Sequence, residues 1–254
     1  MFNLEKEKEQ EKVLKAGCND QEWMLFRYTI VYGSSGWQYL QLTPKKNYPL
    51  LSVFEYVLPH EIDLFKKNIK EPSAKEKEMI NKYYIGTKKS WILNTKLRKG
   101  QELSNEEKQI FNILKEYCNI NRCGKHCILK RMVDLNFLSQ YDITFDKFDE
   151  NSARRALEKI KNNLIYNVVR TEKGFMSASY GKCGFFDREV LLLLYTPCGI
   201  RMYVTDNDAE TEVIFENGMR YYFVDAYLEK VTDNNISFFR IVLCCLMLGA
   251  KWLF

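Results

Sequence analysis

Histidine is almost missing from this chain: of 254 residues, only His60 and His126 are histidines. Neither accompanies a serine or cysteine nucleophile signature, which removes most hydrolase chemistry in which an imidazole moves the proton. Long apolar runs are missing as well. The run Ile241–Ala250 lies between Arg240 and Lys251, well short of the about 20 residues a helix needs to cross a bilayer. It reads as a buried final strand, against the competing reading of a membrane-touching tail acylated at Cys244 and Cys245. Residues 1–15 are rich in Glu and Lys without an apolar core, so no secretory signal is expected there. The positive excess is small, a net charge of +5, and no nucleic-acid-binding module accompanies it. Internal repeats are absent.

What is present suits a folded domain of ordinary size. The chain is 46% hydrophobic and 28% charged, the balance of a globular protein with enough residues to bury a full core. Eight cysteines are scattered along it, which is not the pattern of a disulfide-stapled scaffold and points to a reducing cytosol, its own or one the chain is delivered into. Cys118, Cys123, His126 and Cys127 cluster in sequence, but their spacing matches no zinc-finger pattern, so they read as separate thiols and no metal is expected. Basic residues crowd between Lys66 and Lys99. A solvated helical face and an anion-facing surface both fit that run.

Secondary-structure signals come in two blocks. Residues 1–16 read as a charged helix ended by Gly17, and residues 23–42 as a hairpin around Gly33-Ser34-Ser35-Gly36. Ser73-x-x-Glu76 and Ser104-x-x-Glu107 are capping boxes that start two helices, and Ala153–Leu164 carries the apolar spacing of a third. Strands are expected at 128–133, 164–170, 175–180, 189–196, 200–204, 212–215, 219–228 and 236–246. Helices first and a mainly antiparallel sheet afterwards give an α+β class. Residues 1–60 are expected to form an accessory region and residues 61–254 the functional domain.

Three features of the strand-rich half draw the eye toward chemistry. Arg131 interrupts the apolar run Cys127-Ile128-Leu129-Lys130-Arg131-Met132-Val133. Ser177-Ala178-Ser179 puts two hydroxyls on one strand face, because side chains alternate with period two. Glu210-Thr211-Glu212 reads, by the same alternation, as two carboxylates on one face ahead of an apolar strand. Each alone has an ordinary explanation: an edge ion pair, a chance Ser-x-Ser, a solvated rim.

In this order, the three features resemble the arginine, Ser-x-Ser, Glu-x-Glu signature of the bacterial mono-ADP-ribosyltransferases. Other stretches agree. Asn94-Thr95-Lys96-Leu97-Arg98 is similar to that family's Asn-x-x-Leu-Arg, and Gly174-Phe175-Met176-Ser177-Ala178-Ser179 to its Gly-Phe-x-Ser-Thr-Ser. The resemblance runs over roughly 73–230 and is nearest to the catalytic domains of actin-modifying binary toxins and related effectors. Two departures stand out: Met132 where the family usually has Gly, and Ala178 where it has Thr.

The resemblance implies an ADP-ribosyltransferase fold, two packed β-sheets around an NAD cleft with helices on the N-terminal side. It implies NAD as substrate and an unidentified protein partner modified on arginine, while the small basic excess and the short apolar run lead to no expectation of a nucleic-acid or membrane partner. Arg131, Ser177, Glu210 and Glu212 would be catalytic. Glu212 would stabilise the positive charge that develops on the ribose, with Ser177 holding it, while Glu210 would meet the incoming guanidinium. Asn94, Arg98, Arg131 and Ser179 would bind NAD, the arginines through paired bonds to its diphosphate. Phe185 or Phe186 would stack on the nicotinamide or belong to the core. Rival readings are an NAD glycohydrolase, in which water takes the place of arginine, and a non-catalytic binding module on the same fold.

Overall fold

A computed structural model of the protein describes residues 54–57, 71–83, 88–165, 169–180, 188–205, 211–233 and 236–250. The helix and hairpin expected within residues 1–42 lie outside them.

Local chemistry explains where the helices begin. Helix α1, Ala74–Tyr83, starts behind Ser73. The Ser73 N–H donates to Glu76 Oε2 at 2.9 Å and the Glu76 N–H to Ser73 Oγ at 3.4 Å, the reciprocal capping box expected there. Helix α3, Asn105–Ile120, starts the same way behind Ser104 and Glu107. Between them lies α2, Lys88–Lys99, a helix beyond those expected from the sequence. No acidic residue marks its first turn, but its end is well specified. Gly100 takes φ 64°, its N–H bonds Leu97 O, and the Gln101 N–H bonds Lys96 O, a Schellman motif that satisfies carbonyls the helix leaves open. Helix α4 is the single turn Asn136–Ser139, and α5 spans Glu150–Asn163, capped by Asp149 and Ser152.

The strands are β1 Glu55–Tyr56, β2 Cys127–Val133, β3 Arg170–Glu172, β4 Met176–Ser179, β5 Val190–Thr196, β6 Met202–Val204, β7 Glu212–Phe215, β8 Met219–Asp233 and β9 Ile236–Ala250. The strand expected over 164–170 is corrected. Leu164 is the C-cap of α5 in right-handed helical geometry, and among the described residues the strand is Arg170–Glu172. The apolar run 241–250 is a strand as expected, with Ile241–Met247 buried.

Among the described residues these strands form one hydrogen-bonded path, β3-β8-β9-β5-β2-β4-β7-β6, with β1 alongside β2. Most pairings are antiparallel; β5–β9 and β1–β2 are parallel. The link between β2 and β4 is the thinnest of the path. They share one register pair, Lys130 with Ser179, whereas β2 stays paired to β5 along all of Cys127–Val133. The path therefore splits into two lobes, and the lobes close over a common core. That core draws Leu129, Leu192 and Leu194 from one lobe, Ala178, Val213 and Phe215 from the other, and Ala153, Ala156 and Ile160 from α5. On the outer face of the β4-β7-β6 lobe, Ile80, Leu93, Ile110 and Leu114 of α1–α3 pack on Phe175, Tyr203 and Ile214. The outer face of the other lobe carries a third cluster with Phe54, Ile128, Leu193 and Val242.

Candidate active site at the divergence of β2 and β4

Strand alternation decides which side chains meet here. On β2, Cys127 and Leu129 point into the common core while Ile128 faces outward, so Lys130 faces outward too. On β4, Met176 and Ala178 are buried in the core, leaving Ser177 and Ser179 half-buried on the outer face. On β7, Val213 and Phe215 are core residues and Ile214 belongs to the helix-side cluster, so Glu212 shares the outer face with Ile214. Register then aligns Lys130 with Ser179 and Ser179 with Glu212. The result is a polar seam of Lys130, Ser177, Ser179 and Glu212 between two apolar clusters of the same sheet face.

Arg131 reaches the seam from the other side of the sheet. Its position on β2 alternates with Lys130, and its Nη1 donates to the main-chain carbonyl of Ser177 at 2.5 Å. That carbonyl lies where the β2–β4 ladder would have continued. The guanidinium thus takes the place of a strand partner and holds the two strands where they part.

Glu212 opens β7 and is 6% exposed. Its backbone is well held: its carbonyl accepts from Thr205 N at 3.0 Å and from Thr205 Oγ1 at 3.3 Å. The preceding residue, Thr211, has φ 47°, a left-handed geometry costly for a β-branched residue and often found at functional turns. The Thr211 carbonyl accepts from Tyr180 N at 3.1 Å, which extends the β4–β7 ladder past Ser179. Because the chain turns at Thr211, the period-two argument that put Glu210 beside Glu212 on a strand face does not run through it. Glu210, Phe185 and Phe186 lie outside the described residues.

The helical layer is tied to the residues just before and at the start of β4 through Asn94 and Arg98 of α2. Asn94 is buried, and its Oδ1 accepts the Phe175 N–H at 2.8 Å, tying α2 to the start of β4. A Cβ on Gly174 would stand 2.7 Å from that same oxygen, so this close approach requires glycine. Arg98 is engaged in a fork: Nε donates to Glu172 Oε1 at 2.8 Å and Nη2 to Oε2 at 3.2 Å, and Oε1 also accepts the Gly174 N–H. The family resemblance implies that Arg98 faces the diphosphate of NAD. In this structure Glu172 neutralises it, and nothing in the spacing of Glu172 had singled that residue out.

The cysteine cluster divides. Cys118 sits in the helical layer and donates to Ile214 O at 3.3 Å. The Cys123 and Cys127 sulfurs approach to 3.4 Å in the common core, where burial pushes the Cys127 thiol well up. His126 Nδ1 accepts the Cys198 N–H at 3.2 Å.

Solved structures of bacterial ADP-ribosyltransferases share this fold. Plx2a, an ADP-ribosyltransferase toxin from Paenibacillus larvae, superposes with a TM-score of 0.60 at 16% identity, covering 75% of this chain and 94% of that one. The C3 exoenzyme of Clostridium limosum gives 0.58 at 16% identity, with 74% and 91% covered. C3stau2 of S. aureus, solved with NAD, gives 0.59 at 19% identity, with 81% and 99% covered. At such identities the likeness concerns the fold. No curated protein sequence matches. Residues 61–239 match the model of the ADP-ribosyltransferase exoenzyme family, and the chain belongs to that family. Among the described residues, no helix is long and apolar enough to cross a membrane.

Proposed function

We propose that this protein is a mono-ADP-ribosyltransferase, a toxin or effector acting in a cytosol, that cleaves NAD and transfers the ADP-ribose to an arginine of a protein. The observation that carries the reading is Glu212, a buried carboxylate in register with Ser179 of the Ser-x-Ser strand, one strand from the Arg131–Ser177 contact. A family built for ADP-ribosyl transfer supports it, as does a structural relative solved with NAD.

The chemistry follows from charge. As the bond between nicotinamide and ribose breaks, nicotinamide leaves with the bonding electrons and positive charge spreads over the ribose ring. A carboxylate already desolvated and held at that ring stabilises the transition state more than the ground state. Glu212 takes that role, and Ser177 and Ser179 hold it and the ribose hydroxyls in line. Arg131 binds the diphosphate while bridging β2 to β4 where their pairing ends. Asn94 anchors α2 behind the site. Arg98 binds a phosphate by exchanging one forked partner, Glu172, for another. Phe185 or Phe186 covers the nicotinamide. The acceptor guanidinium attacks the ribose carbon and passes a proton to Glu210. Residues 1–60, with Trp23 and Trp37, serve recognition of the target, and the catalytic domain is 61–254.

A paired measurement tests this, with nicotinamide release reporting cleavage and labelled ADP-ribose on protein reporting transfer. Glu212→Gln removes both by orders of magnitude while the fold and NAD affinity persist. Glu210→Gln removes transfer and leaves slow cleavage by water. Turnover of Glu212→Gln within about tenfold of the parent would overturn the assignment. Normal arginine labelling by Glu210→Gln would mean that the acceptor is another residue type. Cleavage without any protein labelling in the parent would make it an NAD glycohydrolase.

A further inference from the structure

One charged member of the seam has no part in that scheme. Lys130 is half-buried on the outer face, in the same cross-strand row as Ser179 and Glu212. Adjacent strands lie about 4.8 Å apart, so its Cα stands on the order of 10 Å from that of Glu212 across the seam. Its ammonium lies over the Tyr56 ring, 5.0 Å from the centroid. Tyr56 comes from β1, which pairs with the first residues of β2 on the edge that β4 takes over at Lys130, and it is 46% exposed. Among the described residues no carboxylate pairs with Lys130. An aromatic face orients an ammonium without neutralising it.

The neighbouring cations differ in this respect. Arg98 already holds Glu172 in a fork, and Arg131 spends a guanidinium bond on the Ser177 carbonyl. Withdrawing an ammonium partly from water without a counter-charge is costly, and an anionic ligand offsets that cost. In NAD the diphosphate is joined to the nicotinamide ribose through a single methylene. A ribose held at Glu212 therefore carries its diphosphate within a strand or two of that row.

Resting on the function proposed above, we propose that Lys130, oriented by Tyr56, is a diphosphate-binding residue of this site. Lys130 is a point-charge partner for the phosphate oxygens, complementing the directional bonds of Arg131. The two nucleoside ends of the dinucleotide, which carry no phosphate, owe it nothing.

Binding measurements on the full chain separate these contributions. NAD and ADP-ribose carry the diphosphate; nicotinamide riboside and adenosine do not. Lys130→Met is expected to lose about tenfold in affinity for the first pair, the value of one charge-assisted contact, and nothing for the second. Lys130→Arg restores NAD affinity to within about threefold. Raising the salt concentration narrows the gap between parent and Lys130→Met. Lys130→Gln, which keeps a polar head, gives the same reading if the methionine variant does not fold. Unchanged NAD affinity in either folded variant overturns the inference, and so does an equal loss for all four ligands. A parent protein that binds neither NAD nor ADP-ribose would instead overturn the function itself.

Discussion

The guanidinium of Arg131 bonds the main-chain carbonyl of Ser177 at the point where β2 and β4 stop pairing. One side chain thereby replaces a missing ladder bond and brings positive charge to the edge of the seam. Lysine at this position would keep the charge but lose the planar fork that can serve the carbonyl and a ligand together.

Arg131→Lys should therefore lower NAD affinity by about tenfold, in line with one charge-assisted bond. The circular dichroism spectrum should stay that of the parent. Calorimetric affinity equal to the parent's would leave Arg131 a purely structural residue.

Gly174→Ala tests the junction between α2 and β4. The added Cβ would stand 2.7 Å from the Asn94 oxygen that accepts the Phe175 N–H. Either the hydrogen bond or the helix position must give way. A loss of about 2 kcal/mol in urea unfolding is expected, the scale of overpacking together with a broken buried bond. A change below about 0.5 kcal/mol, the size of a neutral surface substitution, would show that α2 moves freely.

The acid limb of stability should report Glu107. Burial raises this carboxyl. The Lys96 ammonium at 2.8 Å, together with the Ser104 N–H and hydroxyl, outweighs burial and holds it below the ordinary carboxylate value. A carboxyl lowered in the folded state stabilises the fold above its unfolded value of about 4.3, and loses that contribution as pH falls through the lower folded value. Parent and Glu107→Gln should differ in urea midpoint at pH 7 and converge toward pH 3. A gap that stays constant from pH 7 to pH 3 would mean that the carboxylate charge contributes nothing.

What could be read from the residues follows physical range. Both Ser-x-x-Glu boxes and the β4 and β7 cores were legible because capping and alternation act within a few residues. The family motifs carried the ADP-ribosyltransferase fold further than periodicity could. Helix α2 was missed because no acidic residue marks its first turn. The strand expected at 164–170 was misplaced because a β-branched and apolar stretch follows α5, and the apolar contacts of Leu164 prolong the helix end instead. The pairing of Arg98 with Glu172 spans 74 positions, and the row formed by Lys130, Ser179 and Glu212 depends on registers between strands far apart in sequence. Alternation within one strand predicts neither.

Strand β9 has a consequence for how this chain is made. β5 and β8 are both complete before β9 is synthesised, yet they do not pair with each other; β9 lies between them and joins both. The larger lobe cannot close while the chain is still growing toward residue 236. Until then β5 and β8 each present an open, apolar edge, the kind of surface that attracts chaperones or other copies. Closing the lobe also requires a parallel pairing over long sequence separation, which is slow to form. Assembly of the larger lobe is thus a late event, set by the arrival of a single hairpin arm.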